Sequence, residues 1–244
     1  MRMTHIIMLG RRADQRNVQF PGRHALPLLE RRITAKWVNG FAAFPPSHGY
    51  ELDLAITRKG NNMNPDELYV SVDVETSGPI PGEYSLLSIG ACLVDQPATS
   101  IYLELRPDSP KHDPEALAVS GLSLEKLERE GLTPQQAMLT FGEWLKSCCQ
   151  TGQKVIFVGL NAPFDWSFVN YYFHKYLETN PFGFTAIDMK AYFMGAVGCS
   201  WQETKSSKMT AALKPLSEPN HNALDDARFQ AELFALMLAG KGNR

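Results

Sequence analysis

Apolar residues fall into a regular rhythm only from Leu68 onward. Leu68–Val74 is short and β-branched and runs into a Thr-Ser-Gly-Pro turn, which predicts a strand. Leu86–Val94 and Ser100–Leu105 predict two more, joined by Asp95-Gln-Pro, so that the three form an antiparallel meander. Pro134–Cys149 has the spacing of a helix with proline near its start. Val155–Leu160 is an unbroken apolar run, as in a strand buried on both faces. A helix follows from about Pro163 to Leu177, then a short strand over Ala186–Asp188 and a helix through Tyr192–Met194. A last helix runs from about Ala223 to Ala239 and stops at Gly240. Three strands followed by alternating helices and strands describe an α/β fold with a mixed sheet flanked by helices.

Residues 1–62 carry no such rhythm. They hold scattered arginines, the breaks Pro21-Gly22 and Pro45-Pro46, and a Gly60-Asn-Asn stretch ahead of Met63. Three origins fit: a disordered basic arm, a targeting peptide, or sequence upstream of a true start at Met63. An Arg-rich, acid-poor beginning suits a transit peptide. Met63 standing just ahead of the first strand favours the tail or start-site reading, with 63–244 as the self-contained domain.

Composition changes this picture in two places. The net charge of −2 divides into ten Lys/Arg against four acids over 1–62 and an excess of eight acids over the remainder. An acidic domain is poorly suited to hold nucleic acid by a broad basic face, but metal ions can supply the positive charge at a site. The four cysteines, Cys92, Cys148, Cys149 and Cys199, lack zinc-like spacing and read as thiols of a reducing, cytoplasmic setting. No apolar run is long enough to span a bilayer, so no membrane partner is expected.

The chemistry gathers in three short segments. In Asp73-Val-Glu75 the two acids lie at i and i+2 of a strand, so both project to one side and can share a hard cation. A second Asp-x-Glu, Asp113-Pro-Glu115, precedes a helix-like run and is better explained as a cap and first-turn acid. In Asn161-Ala-Pro-Phe-Asp165 the aspartate shares a helix face with Phe168, Val169, Tyr172, Phe173 and Tyr176, which is the core-facing side. An inward carboxylate there demands a metal, a cation or donor groups, unless the helix dipole and neighbouring donors suffice.

In His221-Asn-Ala-Leu-Asp-Asp226 the helix projection separates the two aspartates. Asp226 falls at the edge of the face made by Ala223, Ala227, Leu233, Phe234, Met237 and Leu238, whereas Asp225 lies with Arg228 and Glu232 on the polar side. His221 is about 140° from Asp226 if both are helical, so sharing a site requires His221 to lie in the preceding loop. A mobile histidine near metals suits a general base.

Together these segments resemble the DEDDh 3′→5′ exonucleases, the superfamily of RNase T, oligoribonuclease and polymerase proofreading subunits, over roughly Leu68 to Leu238. Asp73 and Glu75 match the first signature. Asn161 and Asp165 match the second, and His221 with Asp226 the third. Asn222 stands where the sister group has tyrosine, which favours the histidine subgroup. Ser88 and Leu160 depart from the acid and the histidine common at those positions; neither is a metal ligand.

The resemblance implies a ribonuclease H-like fold and two divalent cations, Mg²⁺ or Mn²⁺, about 3.5–4 Å apart and held by Asp73, Glu75, Asp226 and, partly through water, Asp165. It implies His221 as the base and a nucleoside 5′-monophosphate as the product. Thr76, Ser77 and Gly78 would supply backbone donors near the terminal nucleotide, Leu86 or Leu87 a wedge against its base, and Asn161 and Phe164 further contacts. The substrate expected is single-stranded RNA or DNA with a 3′-OH end, with RNA favoured by the compact size from Met63. Small enzymes of this kind are often homodimers, so a second copy is a partner to expect. Lys205, Lys208 and Lys214 are either phosphate contacts or an ordinary solvated face. The rival readings are a catalytically silent nuclease-fold binding module, a DNA-directed proofreading or repair exonuclease, and a two-metal hydrolase of small phosphoesters.

Overall fold

A computed structural model describes residues 36–38, 41–43 and 63–240. The chain divides into two units, Met1–Ile56 and Thr57–Arg244. In the first, Lys36–Val38 (β1) pairs antiparallel with Phe41–Ala43 (β2). The sequence pattern of 1–62 did not anticipate this ladder; what else it predicts for that stretch lies outside the described residues.

In the second unit, Glu67–Thr76 (β3), Leu86–Leu93 (β4), Ser100–Glu104 (β5), Lys154–Gly159 (β6) and Ala186–Asp188 (β7) form one sheet in the order β5-β4-β3-β6-β7. The β3–β4 and β4–β5 ladders are antiparallel, and β3–β6 and β6–β7 are parallel. This is the mixed sheet expected from the hydrophobic pattern. Every residue of β4 is buried, because helices cover both faces.

One face carries Val70, Val72 and Val74 and packs under α3 (Pro134–Cys148) and α4 (Ala162–Leu177), which contribute Phe141, Phe168, Tyr172 and Phe173. The other face packs under α7 (Ala223–Leu238) with α5 (Met189–Val197) and α6 (Ser206–Leu213), through Phe193, Met209, Leu233 and Phe234. Burial of such a side chain contributes roughly 1.5–3 kcal/mol, so these two layers fix where the polar residues of β3 must point. Asp113 caps α1 (Pro114–Ser120) by accepting from the Glu115 N–H at 2.9 Å, as the capping reading of Asp113-Pro-Glu115 requires. Three short elements went unread in the sequence: α2 (Leu124–Glu130), a 3₁₀ turn over Trp201–Thr204, and α6. Each has at most two buried apolar or small positions, too few to generate a period.

Candidate active site

The last residues of β3 face α7, and a glycine makes this approach possible. Gly90 pairs with Asp73 across the β3–β4 ladder. A Cβ on Gly90 would stand 2.1 Å from the carbonyl carbon of Ala223. The first turn of α7 therefore rests directly on the sheet and carries Asp226 to β3. Carboxylate oxygens of Asp73, Glu75 and Asp226 lie within 4.8 Å of one another. Gln230, one turn further along α7 and 3% exposed, donates to Asp73 Oδ1 at 2.6 Å and accepts from the Leu160 N–H at 2.8 Å.

Asp165 enters from the opposite layer. The parallel ladder with β6 stops at Ser71↔Val158. Beyond it, the Val74 N–H donates to Asp165 Oδ1 at 3.1 Å. Asp165 is buried, as its place on the apolar face of α4 predicts. It enters α4 through Asn161, whose φ of 67° is the left-handed conformation that asparagine tolerates better than most residues.

Crowding four acids in a desolvated space disfavours their charged forms. Burial, then repulsion from Asp165, Asp226 and Glu75, pushes the Asp73 carboxyl well above the usual carboxylate range. Burial and then Asp226 push Glu75 up to about 7. Burial raises Asp165 to about 8 against the opposing pull of the Val74 N–H. Such a donor set is unfavourable alone and matches hard divalent cations, which bind through carboxylate oxygens. Asp73, Glu75 and Asp226 fit a cation directly, with Asp165 behind them.

The loop before α7 is tied to the same cluster. Asp226 accepts the Asn220 N–H at 2.8 Å on one oxygen and the His221 N–H at 3.2 Å on the other. His221 has φ 62° and is exposed, in the loop where the helix projection places it. Among the described contacts, its backbone, and not its imidazole, links it to the acids. Asp225 turns to Arg228 and Asn220, on the solvent side.

The expected substrate contacts divide. Phe164 and Thr76 line a cavity of about 310 Å³ with Val74, Glu75, Glu115, Ala116 and Val119, and Asn161 is exposed at the head of α4. Ser77 is buried, its N–H spent on the Ser85 carbonyl and its hydroxyl on the Lys111 carbonyl. The Tyr84 ring fills the space beside Gly78. Leu86 and Leu87 are both fully buried, so the wedge expected of them is corrected: neither presents a side chain to a base in this conformation. An apolar wall is offered instead by α1, held against the end of β3 by the Asp113 N–H donating to the Ser77 carbonyl at 2.7 Å. Its half-exposed Val119 faces the cavity. Sequence reasoning missed Glu115, Ala116, Val119 and Gln230. The capping explanation of Asp113 absorbed Glu115, and a glutamine on an apolar helix face was the available signal for Gln230. A larger depression of about 520 Å³, lined by Pro107, Asp108, Glu125 and Glu128 among others, contains none of the converging acids.

Comparison with known proteins gives the family and the fold. A family model described as an RNase T exonuclease matches residues 70–234. The "3′-5′ DNA exonuclease Cap18" of Escherichia coli is 53% identical over 171 residues, which is 70% of this chain and 91% of that protein. The nuclease domain of 3′hExo, described as a DEDDh family member bound to rAMP, superposes with a TM-score of 0.60 at 17% identity, covering 73% of this chain and 95% of its own. Exonuclease I of E. coli in complex with a dT13 oligonucleotide superposes at 0.55 and 17% identity, covering 72% of this chain and 41% of that one. At these identities the two structures speak for the fold, a ribonuclease H-like sheet.

Proposed function

The chain belongs to the DEDDh exonucleases of the RNase T family and is a hydrolytic 3′→5′ exonuclease, and on that premise we propose that it shortens single-stranded DNA one nucleotide at a time. The convergence of Asp73, Glu75 and Asp226 within 4.8 Å carries this reading. DNA replaces the RNA favoured by size alone, because a relative 53% identical over nearly its whole length is named a DNA exonuclease.

In this reading Asp73, Glu75 and Asp226 would hold two divalent cations, Mg²⁺ or Mn²⁺, with Asp165 supporting them. When bound, the cations would supply Lewis-acid stabilisation to the scissile phosphate. Gln230 holds one Asp73 oxygen and leaves the other to the cluster. The cavity beside Glu75, walled by Phe164, Ala116 and Val119, receives the terminal nucleotide. His221 swings its imidazole from the loop anchored on Asp226 and takes the proton of the attacking water. The water oxygen bonds to phosphorus as the bond to the 3′ oxygen breaks, and the leaving 3′ oxygen takes a proton from solvent water. The products are a nucleoside 5′-monophosphate and a strand shorter by one nucleotide.

Among the described residues no helix is long and apolar enough to cross a membrane. The cysteines, all unpaired, suit a reducing cytoplasm.

The test follows 5′-labelled DNA and RNA strands of equal sequence with Mg²⁺ or Mn²⁺, using the full chain and a chain beginning at Met63. A ladder descending from the 3′ end, faster on DNA and similar for both chains, supports the proposal and the placing of the catalytic domain in 63–244. Faster laddering on RNA restores the RNA reading. Turnover of small phosphoesters without laddering overturns both.

A further inference from the structure

We propose that Trp201 and Lys190 form a stacking platform for the single strand a few nucleotides upstream of the 3′ end being cleaved, an inference that rests on the exonuclease reading above. Trp201 is 50% exposed, unusual for an indole. Lys190 Nζ lies 4.3 Å from its ring centroid. The cation tethers the ring while half of the residue stays open to solvent.

The sheet register places this pair beside the acids. Val158 pairs with Ser71 on β3, and the next residue, Gly159, pairs with Asp188 on β7. Asp188 is therefore level with Val72, the neighbour of Asp73, and two strands away, or about 10 Å at roughly 4.8 Å per strand. Its carboxylate accepts from the Ala162 N–H at 3.2 Å and the Ala191 N–H at 3.1 Å, joining the start of α4, which carries Asp165, to the start of α5. Lys190 is the second residue of α5. The indole thus stands on the same rim of the sheet as the carboxylates, within reach of a few nucleotides of unstacked strand.

Charge identifies the occupant. The residues from 63 onward carry eight more acids than bases. Between Met189 and Leu216 the balance reverses, with Lys190, Lys205, Lys208 and Lys214 against Glu203 alone. Lys205 and Lys208 are exposed on the segment that follows Trp201. An open aromatic ring flanked by cations takes a nucleobase on its face and phosphates on its lysines, with little regard for sequence or sugar. In a domain otherwise short of positive charge, this stretch is where a polyanion is held once it leaves the metal-binding acids.

The experiment compares wild type, Trp201→Ala, Trp201→Phe and Lys190→Ala on a dinucleotide and on a strand of about twelve nucleotides. Trp201→Ala is expected to lower kcat/KM on the long strand about tenfold, the range of one lost base stack, and to leave the dinucleotide within twofold. Trp201→Phe should recover most of the loss. Binding of the labelled long strand in Ca²⁺, read by fluorescence polarisation, should weaken by the same factor without depending on cleavage. Unchanged affinity and kcat/KM on the long strand, or an equal loss on the dinucleotide, overturn the platform. Strand binding that weakens in Trp201→Ala, with no strand cleaved by wild type in Mg²⁺ or Mn²⁺, supports the platform and overturns the exonuclease reading. No binding by wild type overturns both.

Discussion

Gln230 donates its side-chain amide to Asp73 at 2.6 Å from a position that is itself buried. The Leu160 N–H, donating to Gln230 Oε1 at 2.8 Å, fixes which end of the amide faces the carboxylate. A neutral donor thus holds Asp73 in place without adding charge to the cluster. Gln230→Leu keeps the approximate volume but leaves the half-buried Leu160 N–H and an Asp73 oxygen unpartnered, at a cost of up to about 1–3 kcal/mol for such a group. The expected outcome is a lower Tm together with weaker cation binding by calorimetry. Gln230→Glu adds a fifth acid and should weaken cation-free folding further at pH 8 than at pH 5. A Gln230→Leu protein with unchanged metal affinity would remove Gln230 from the positioning of Asp73.

Gly90→Ala tests the close approach of α7. The atoms within about 2.2 Å of the added Cβ are the Ala223 carbonyl and the Leu224 nitrogen. These are backbone atoms of a helix start and cannot turn aside, so the helix must shift, and Asp226 with it. A misplacement near 1 Å costs on the order of 10²-fold in rate. The variant is expected to keep its circular dichroism spectrum and lose turnover by about that factor. Wild-type turnover would show that α7 re-seats without moving its aspartate.

The acid cluster predicts a stability that falls with pH in the cation-free protein. Glu75 sits at about 7 against an ordinary 4.5, and Asp165 at about 8 against 3.8. Both bind protons more tightly in the folded chain than in the unfolded one. That extra stability is complete below about pH 4 and is lost as pH rises through 7 to 8. In EDTA the Tm should decline from pH 5 to pH 8. Saturating Mn²⁺ or Mg²⁺ should raise it more at pH 8 than at pH 5, because the cations bind the ionised carboxylates. Thermal melts at the two pH values, with and without cation, measure both differences; a rise in Tm with pH in EDTA would contradict the crowding.

The mixed sheet, the inward turn of Asp165 and the separation of Asp226 from Asp225 were legible in the sequence for one reason. Strand and helix periods fix which side chains share a face, and each of these elements has enough apolar positions to set the phase. Leu86 and Leu87 show the limit: the pattern marks a strand but not the layer above it, and both faces prove covered. Val119, and the partners of Gln230, depend on contacts between elements far apart in the chain, which no local period records; only the place of Gln230 on an apolar helix face could be read locally. Trp201 lies in a 3₁₀ turn of four residues, too short for any pattern.

Asp226 and His221 are coupled through the backbone, which decides what their variants should do. Asp226 anchors the Asn220 and His221 N–H groups with its two oxygens while offering charge to the cluster. Asp226→Asn replaces one acceptor with a donor, so it both weakens the cation site and releases the loop. It should abolish turnover and reduce cation affinity. His221→Ala removes only the imidazole and leaves the N–H to Asp226 intact. It should lose about 10²–10⁴-fold in turnover, the range for a general base, and bind cation as the wild type does. Asp225→Asn touches a surface pair with Arg228, worth little, and should stay within twofold in both measurements. Calorimetric cation titration beside single-turnover kinetics separates the three. Loss of cation affinity in His221→Ala would make the histidine part of the binding site and not its base.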